Sequence, residues 1–156
     1  MKPLSFLLLL FCSSCISASA QGLFDEQFDD CPIMKPCVYC GDTAAHFTRG
    51  LSKYFADKIT HSIYNSTYNL KNFNVLYEVF IDSAGRPCVT SVESLGFGYS
   101  LQVKDDIRRW IADMDDWKPA VKQGKPINST VILEFKFTAN FLGVNYVKAP
   151  KKKHEK

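Results

Sequence analysis

The stretch MDDWKPAVKQGKP, Met114 to Pro126, decides how this chain folds. Pro119 cannot continue a helix and pushes Lys118 towards an extended backbone. Trp117 is large enough to plug the open end of a sandwich. Gly124 and Pro126 in QGKP mark a turn. The stretch therefore reads as neither helix nor strand. It is a connection that stops a helix, crosses the end of a sheet and delivers the chain into an edge strand.

The flanks agree. Upstream, Leu101 to Met114 carries Val103, Ile107, Trp110, Ile111 and Met114 at helical spacing, with Ser100 as N-cap. Lys104, Asp105, Arg108, Arg109 and Asp113 are expected on its wet side. Downstream, Thr130 to Thr138 alternates: Val131, Leu133, Phe135 and Phe137 share one face, and Ile132, Glu134 and Lys136 the other. Further back, Val75 to Asp82 and Cys88 to Ser94 form a hairpin around the turn DSAGRP, where Gly85 supplies the positive φ that side chains resist. Before the hairpin, Phe47, Leu51, Tyr54, Phe55, Ile59 and Ile63 suggest a helix from Thr43 to Ile63, capped by Asp42 and weakened by Gly50. The polar run 62–74 connects the two, and 95–100 is a glycine-loosened loop.

These elements make an α+β fold of order α-β-β-α-β. The hairpin sets its two strands antiparallel, and the second helix returns the chain. An all-antiparallel three-stranded sheet then needs the order 2-1-3, with both helices on one face. The last strand becomes an edge unless Phe141 to Val147 folds back to close it.

The chain has 156 residues, a length suited to one domain with short tails. Residues 1–20 read as a removable export signal: Lys2, the apolar run Leu4 to Phe11, and Ala18-Ser19-Ala20 before Gln21. A lipoprotein reading through Cys15 competes, and only it would place the chain on a membrane. Residues 21–40 form a linker and Cys-rich arm, in which the acidic run GLFDEQFDD reads as a linker or docking arm. The domain spans 41–147, and 148–156 is a basic tail.

The net charge of +3 falls by one when Lys2 leaves and sits largely in that tail, too little to argue for nucleic acid. Four cysteines remain after the leader: Cys31, Cys37, Cys40 and Cys88. An even number in an exported chain points to two disulfides in one of three pairings. Complete pairing with Cys88 inside the fold requires Cys88 to join one of the clustered three. A CxxC redox pair (Cys37 and Cys40) and a zinc site are the alternatives, but no second CxxC accompanies Cys88.

No set of residues converges as an acid, base or nucleophile. Asp82, Glu93, Glu134 and the three histidines sit on turns, a tail or alternating strand positions. Asp115 and Asp116 could suggest a carboxylate pair, but adjacent residues rarely converge, and a helix C-terminal end disfavours negative charge. The expectation is a non-enzymatic chain with no catalytic residue, metal or cofactor. The sequons at Asn65 and Asn128 would matter only on a eukaryotic secretory path.

The series VLYEVFIDSAGRPCVTSVE, then a helix, then MDDWKPAVKQGKPINSTVILEFKF resembles the TonB C-terminal domain, in its Bacteroidetes-type form. The residues that carry the resemblance are Asp82 and Gly85, Met114, Trp117, Pro119 and Ala120, Gly124 to Pro126, and the closing strand, within about Gly41 to Thr138. It implies a periplasmic module that binds a protein or peptide segment, such as part of an outer-membrane receptor, by strand addition. The implied binding edge is Val131, Ile132, Leu133, Glu134, Phe135 and Lys136. The sequence departs from a full transducer in having Glu134 where the family has proline, and in lacking a Tyr-Pro after the first helix. It also shows no spanning anchor or long proline-rich spacer.

Overall fold

The computed structural model describes residues 26–31, 37–63, 73–94, 101–138 and 141–147. The leader, Cys15, most of the 62–74 connector with its Asn65 sequon, the 95–100 loop and the lysine tail lie outside them. The elements in chain order are β1 (Glu26–Gln27), β2 (His46–Phe47), α1 (Leu51–Ile63), β3 (Phe73–Ile81), β4 (Pro87–Ser94) and α2 (Leu101–Ala112). Then follow β5 (Trp117–Lys118), β6 (Ala120–Lys122), β7 (Lys125–Ile127), β8 (Ser129–Thr138) and β9 (Phe141–Tyr146).

The architecture is α+β, with two helices and a five-stranded antiparallel sheet of order β1-β4-β3-β8-β9. Its centre, β4-β3-β8, is the order expected from the hairpin and the returning helix. Alternation explains the core. Val75, Tyr77, Val79 and Ile81 of β3 are fully buried on one face beside Val131, Leu133 and Phe135 of β8. Phe55 of α1 meets the Phe135 ring edge-on at 4.7 Å. From α2, the Lys104 carbonyl accepts a hydrogen bond from the Tyr77 hydroxyl. Both helices thus press on the same face of the sheet.

Three local expectations are corrected. The first helix begins at Leu51 rather than Thr43. Residues 43–47 are extended instead: Thr43 pairs with Val121, and β2 pairs with β5 through His46↔Lys118 and Phe47↔Trp117. Backbone partners across the domain outweigh the helical spacing of Phe47, and Gly50 precedes the helix rather than weakening it. Asp42 caps no helix here, because its carboxylate accepts the Gln123 N–H. The Met114–Pro126 connection also contains strands: β5, then the β6–β7 hairpin. Gln123 and Gly124 both have positive φ in that hairpin's two-residue loop, as a primed turn requires. Finally, Lys104 is buried and Arg108 half-buried, although both read as solvent-facing. The chain's own N-terminal arm covers them.

The β3–β4 turn shows why Asp82 and Gly85 stand where they do. One Asp82 carboxylate oxygen accepts the N–H groups of Ala84 and Arg86, and the other accepts the Arg86 guanidinium. Burial alone would raise the Asp82 pKa, but these hydrogen bonds outweigh it and hold the group below its ordinary value. Gly85 has φ +83°, and a Cβ placed there would lie 2.6 Å from the Trp117 carbonyl oxygen. The turn is therefore seated on the Met114–Pro126 connection. Gly85→Ala should destabilise the fold by roughly 1–3 kcal/mol or more, since it combines left-handed strain with a backbone clash. Urea denaturation reads this directly, and an unchanged midpoint would refute the seating.

Candidate binding edges

A sheet offers strand-adding partners its unpaired edges. The expected edge was β8. It is closed. β9 pairs with β8 from Leu133↔Tyr146 to Thr138↔Phe141. Where β9 ends, the Cys37–Tyr39 strap takes over: Thr130 donates its N–H to the Cys37 carbonyl, and Tyr39 donates its N–H to Thr130. The Tyr39 hydroxyl fills the junction, contacting the Ile132 N–H and carbonyl at 3.2 Å and donating to the Val147 carbonyl. Burial raises its pKa, and the bond at Ile132 offsets part of this.

The six residues assigned to that edge are thus interior to the sheet. Val131, Leu133 and Phe135 face the helices with no exposure. Ile132, Glu134 and Lys136 lie on the other face, where Glu134 accepts from Asn74 and pairs with Lys136. The Asn74 hydrogen bond, followed by Lys136 against the opposing effect of burial, lowers the Glu134 pKa.

β9, the new outermost strand on this side, is met by α1 at its middle. The Ser52 hydroxyl of α1 bonds both the carbonyl and the N–H of Val144, the groups that point away from β8. The Tyr146 hydroxyl accepts the Phe47 N–H at 2.7 Å.

The opposite side is built differently. There the arm lies on β4 as an added strand, with Glu26↔Val92 and Gln27↔Ser91 in register and Phe28 donating its N–H to the Thr90 carbonyl at 2.8 Å. Along the added strand alternate residues share a side, so Glu26 and Phe28 belong together, and Asp30 follows in the turn after them. Glu26 pairs with Lys104, Asp30 pairs with Arg108, and the Arg108 guanidinium sits 4.0 Å from the centre of the Phe28 ring. Next to Asp30 an open cleft of about 440 Å³ runs between β4 and α2, past Pro87, Val89 and Arg109.

The cysteines follow this division. Cys31 is bonded to Cys88 and anchors the arm to β4, while Cys37 is bonded to Cys40 and closes the strap. Of the three pairings left open, Cys31–Cys88 with Cys37–Cys40 is adopted, the one that leaves the CxxC pair joined to itself. The remaining motif residues are structural. Met114 and Trp117 are core, Pro119 lies beside Gly85, and Gly124 and Pro126 sit on the exposed β6–β7 hairpin. His46 is exposed on β2, and the Asn128 side chain accepts the Ser83 N–H. The acid-x-aromatic-x-acid spacing of Glu26, Phe28 and Asp30, together with Lys104 and Arg108 one helical turn apart, was the available signal for the β4 groove.

Among the described residues no helix is long and apolar enough to cross a membrane. Compared with known protein families, curated proteins and solved structures, the chain matches none.

Proposed function

We propose that this chain is an exported protein–protein interaction module with a TonB C-terminal-like fold, which holds an extended partner segment along a sheet edge. One observation carries the reading: Glu26–Phe28 already lies on β4 as an added strand, so that edge accepts an extended peptide. The leader-like residues 1–20 and the two disulfides support an oxidising compartment, the periplasm or beyond. The 2-1-3 core order supports the family resemblance. Under this reading the partner is a protein segment, an outer-membrane receptor among the candidates, and the chain needs neither catalytic residues nor a cofactor. The rival role, thiol–disulfide exchange at Cys37 and Cys40, fits less well, because that loop's backbone serves as the cover of β8.

Selection of random displayed peptides tests the proposal. The target is the full mature chain carrying Phe28→Pro, which removes the arm's N–H donor to Thr90. Selected peptides should bind and slow amide exchange along a sheet edge. Failure to select any binder, or binders that protect no edge amide, would sink it.

A further inference from the structure

The β4–α2 groove has a chemical preference that its resident segment displays. We infer that this groove is a recognition site for an extended partner segment with an acid-x-aromatic-x-acid pattern, and that residues 26–30 are its resident competitor. The inference rests on the interaction-module reading and adds to it which edge is used and what is read there.

The spacing makes the match. Two residues of strand advance about 7 Å and four residues of helix about 6 Å, so alternate strand positions keep step with positions i and i+4 on a parallel helix. Lys104 and Arg108 stand at that helical spacing and Glu26 and Phe28 at that strand spacing, while the turn after Phe28 brings Asp30 back to Arg108. Each base then meets its own part of the pattern. The Lys104 ammonium takes the first acid, and its side chain is only 9% exposed, so the charge is read in a sheltered position. The Arg108 guanidinium lies over the aromatic ring and also takes the second acid. Of the five arm residues only Phe28 is half-buried; Glu26, Gln27, Asp29 and Asp30 are exposed, so the shelter is on the side of Lys104 and the Phe28 ring. Backbone pairing with β4 supplies affinity for any extended chain, whereas Lys104 and Arg108 supply the selection.

The arm is also built to be displaced. Among the described residues of the arm, Glu26–Gln27 pair as a strand and Phe28 adds one further bond, while Cys31 holds the segment's end at Cys88. The disulfide keeps the arm at a high local concentration without requiring residues 26–30 to bind tightly. A tether giving about 1 mM effective concentration, against an intrinsic Kd of about 0.1 mM, weakens a free competitor by roughly tenfold. A partner with the same pattern that continues into the cleft beside Asp30 adds contacts with Pro87, Val89 and Arg109.

A synthetic peptide of residues 22–30, GLFDEQFDD, is the probe. It is titrated into the full mature chain with its disulfides intact, either wild type or with the groove emptied by Glu26→Ala, Phe28→Pro and Asp30→Ala together. The peptide should bind the emptied protein at least about tenfold more tightly than wild type. It should shift the amide signals of Thr90 and Val92. Adding Arg108→Ala, or Lys104→Met to retain the buried stem, should weaken binding several-fold. Equal binding to wild type and emptied protein overturns the inference. So does equal binding of a control peptide with the phenylalanine at the position of Phe28 changed to alanine and its acids changed to amides. If displayed peptides of other chemistry still dock on a sheet edge, the interaction-module reading survives this failure; if nothing docks on any edge, both fall.

Discussion

Trp117→Ala is expected to cost roughly 3–5 kcal/mol, the range for truncating a large core aromatic. Trp117 is 4% exposed although it lies in a two-residue strand of a connecting segment. Its ring stands 5.7 Å from that of Phe47 and 6.3 Å from that of Tyr146. It therefore joins β2, the connection and the last strand at one end of the layer, where Tyr146 also bonds the Phe47 backbone. Against a typical total stability of about 5–15 kcal/mol, such a loss is a large fraction. At a few degrees per kcal/mol, the melting temperature should fall by more than about 10 °C. Loosening should be felt first at β9, so amide exchange at Val144 and Tyr146 should accelerate more than at Tyr77. A melting curve unchanged from wild type would show that Trp117 plugs nothing.

The value of Trp117 could be argued from sequence because a bulky ring beside Pro119, between a helix and a strand, has few other places to go. The central strands were legible for a similar reason. Alternation in VLYEVFID and TVILEFKF leaves one register that buries Tyr77 and Phe135. The edges were not legible. β9 alternates Leu142, Val144 and Tyr146 with Gly143 and Asn145, but a short run after the last long strand does not say which strand it joins, so whether it closed β8 stayed open. β1 pairs over two residues, too few for an apolar period, and its spaced acids and phenylalanine point to no strand without α2. Its position depends on a disulfide partner 57 residues away and on two α2 cations, and these are tertiary facts. The same limit misled the reading of Phe47. Helical spacing placed it with Leu51 and Tyr54, and its ring does meet Tyr54 at 5.4 Å, but from a strand. A contact predicted from periodicity survived although the element that would have made it did not.

Replacing the long disulfide, Cys31→Ser with Cys88→Ser, should cost about 4 kcal/mol. The bond spans 57 residues, and in the chain-entropy model a loop of this length removes that much freedom from the unfolded chain. Cys37→Ser with Cys40→Ser breaks a bond spanning 3 residues, for which the same model gives only about 2 kcal/mol. The two variants should therefore separate by about 2 kcal/mol in urea denaturation, with the Cys31/Cys88 variant the weaker. They should also fail in different places. Without Cys31–Cys88, the described part of the arm is held on β4 by a short strand, the Arg108–Phe28 contact and partly exposed ion pairs, each worth little. The Phe28 amide should then exchange rapidly while β8 stays protected. Without Cys37–Cys40, exchange should rise at Thr130 and Ile132, whose edge the strap covers, while Phe28 stays protected. Equal stabilities for the two variants, or loss of protection at the same amides in both, would mean that the arm and the strap are not the separate edge covers that the hydrogen bonds at Thr90 and Thr130 describe.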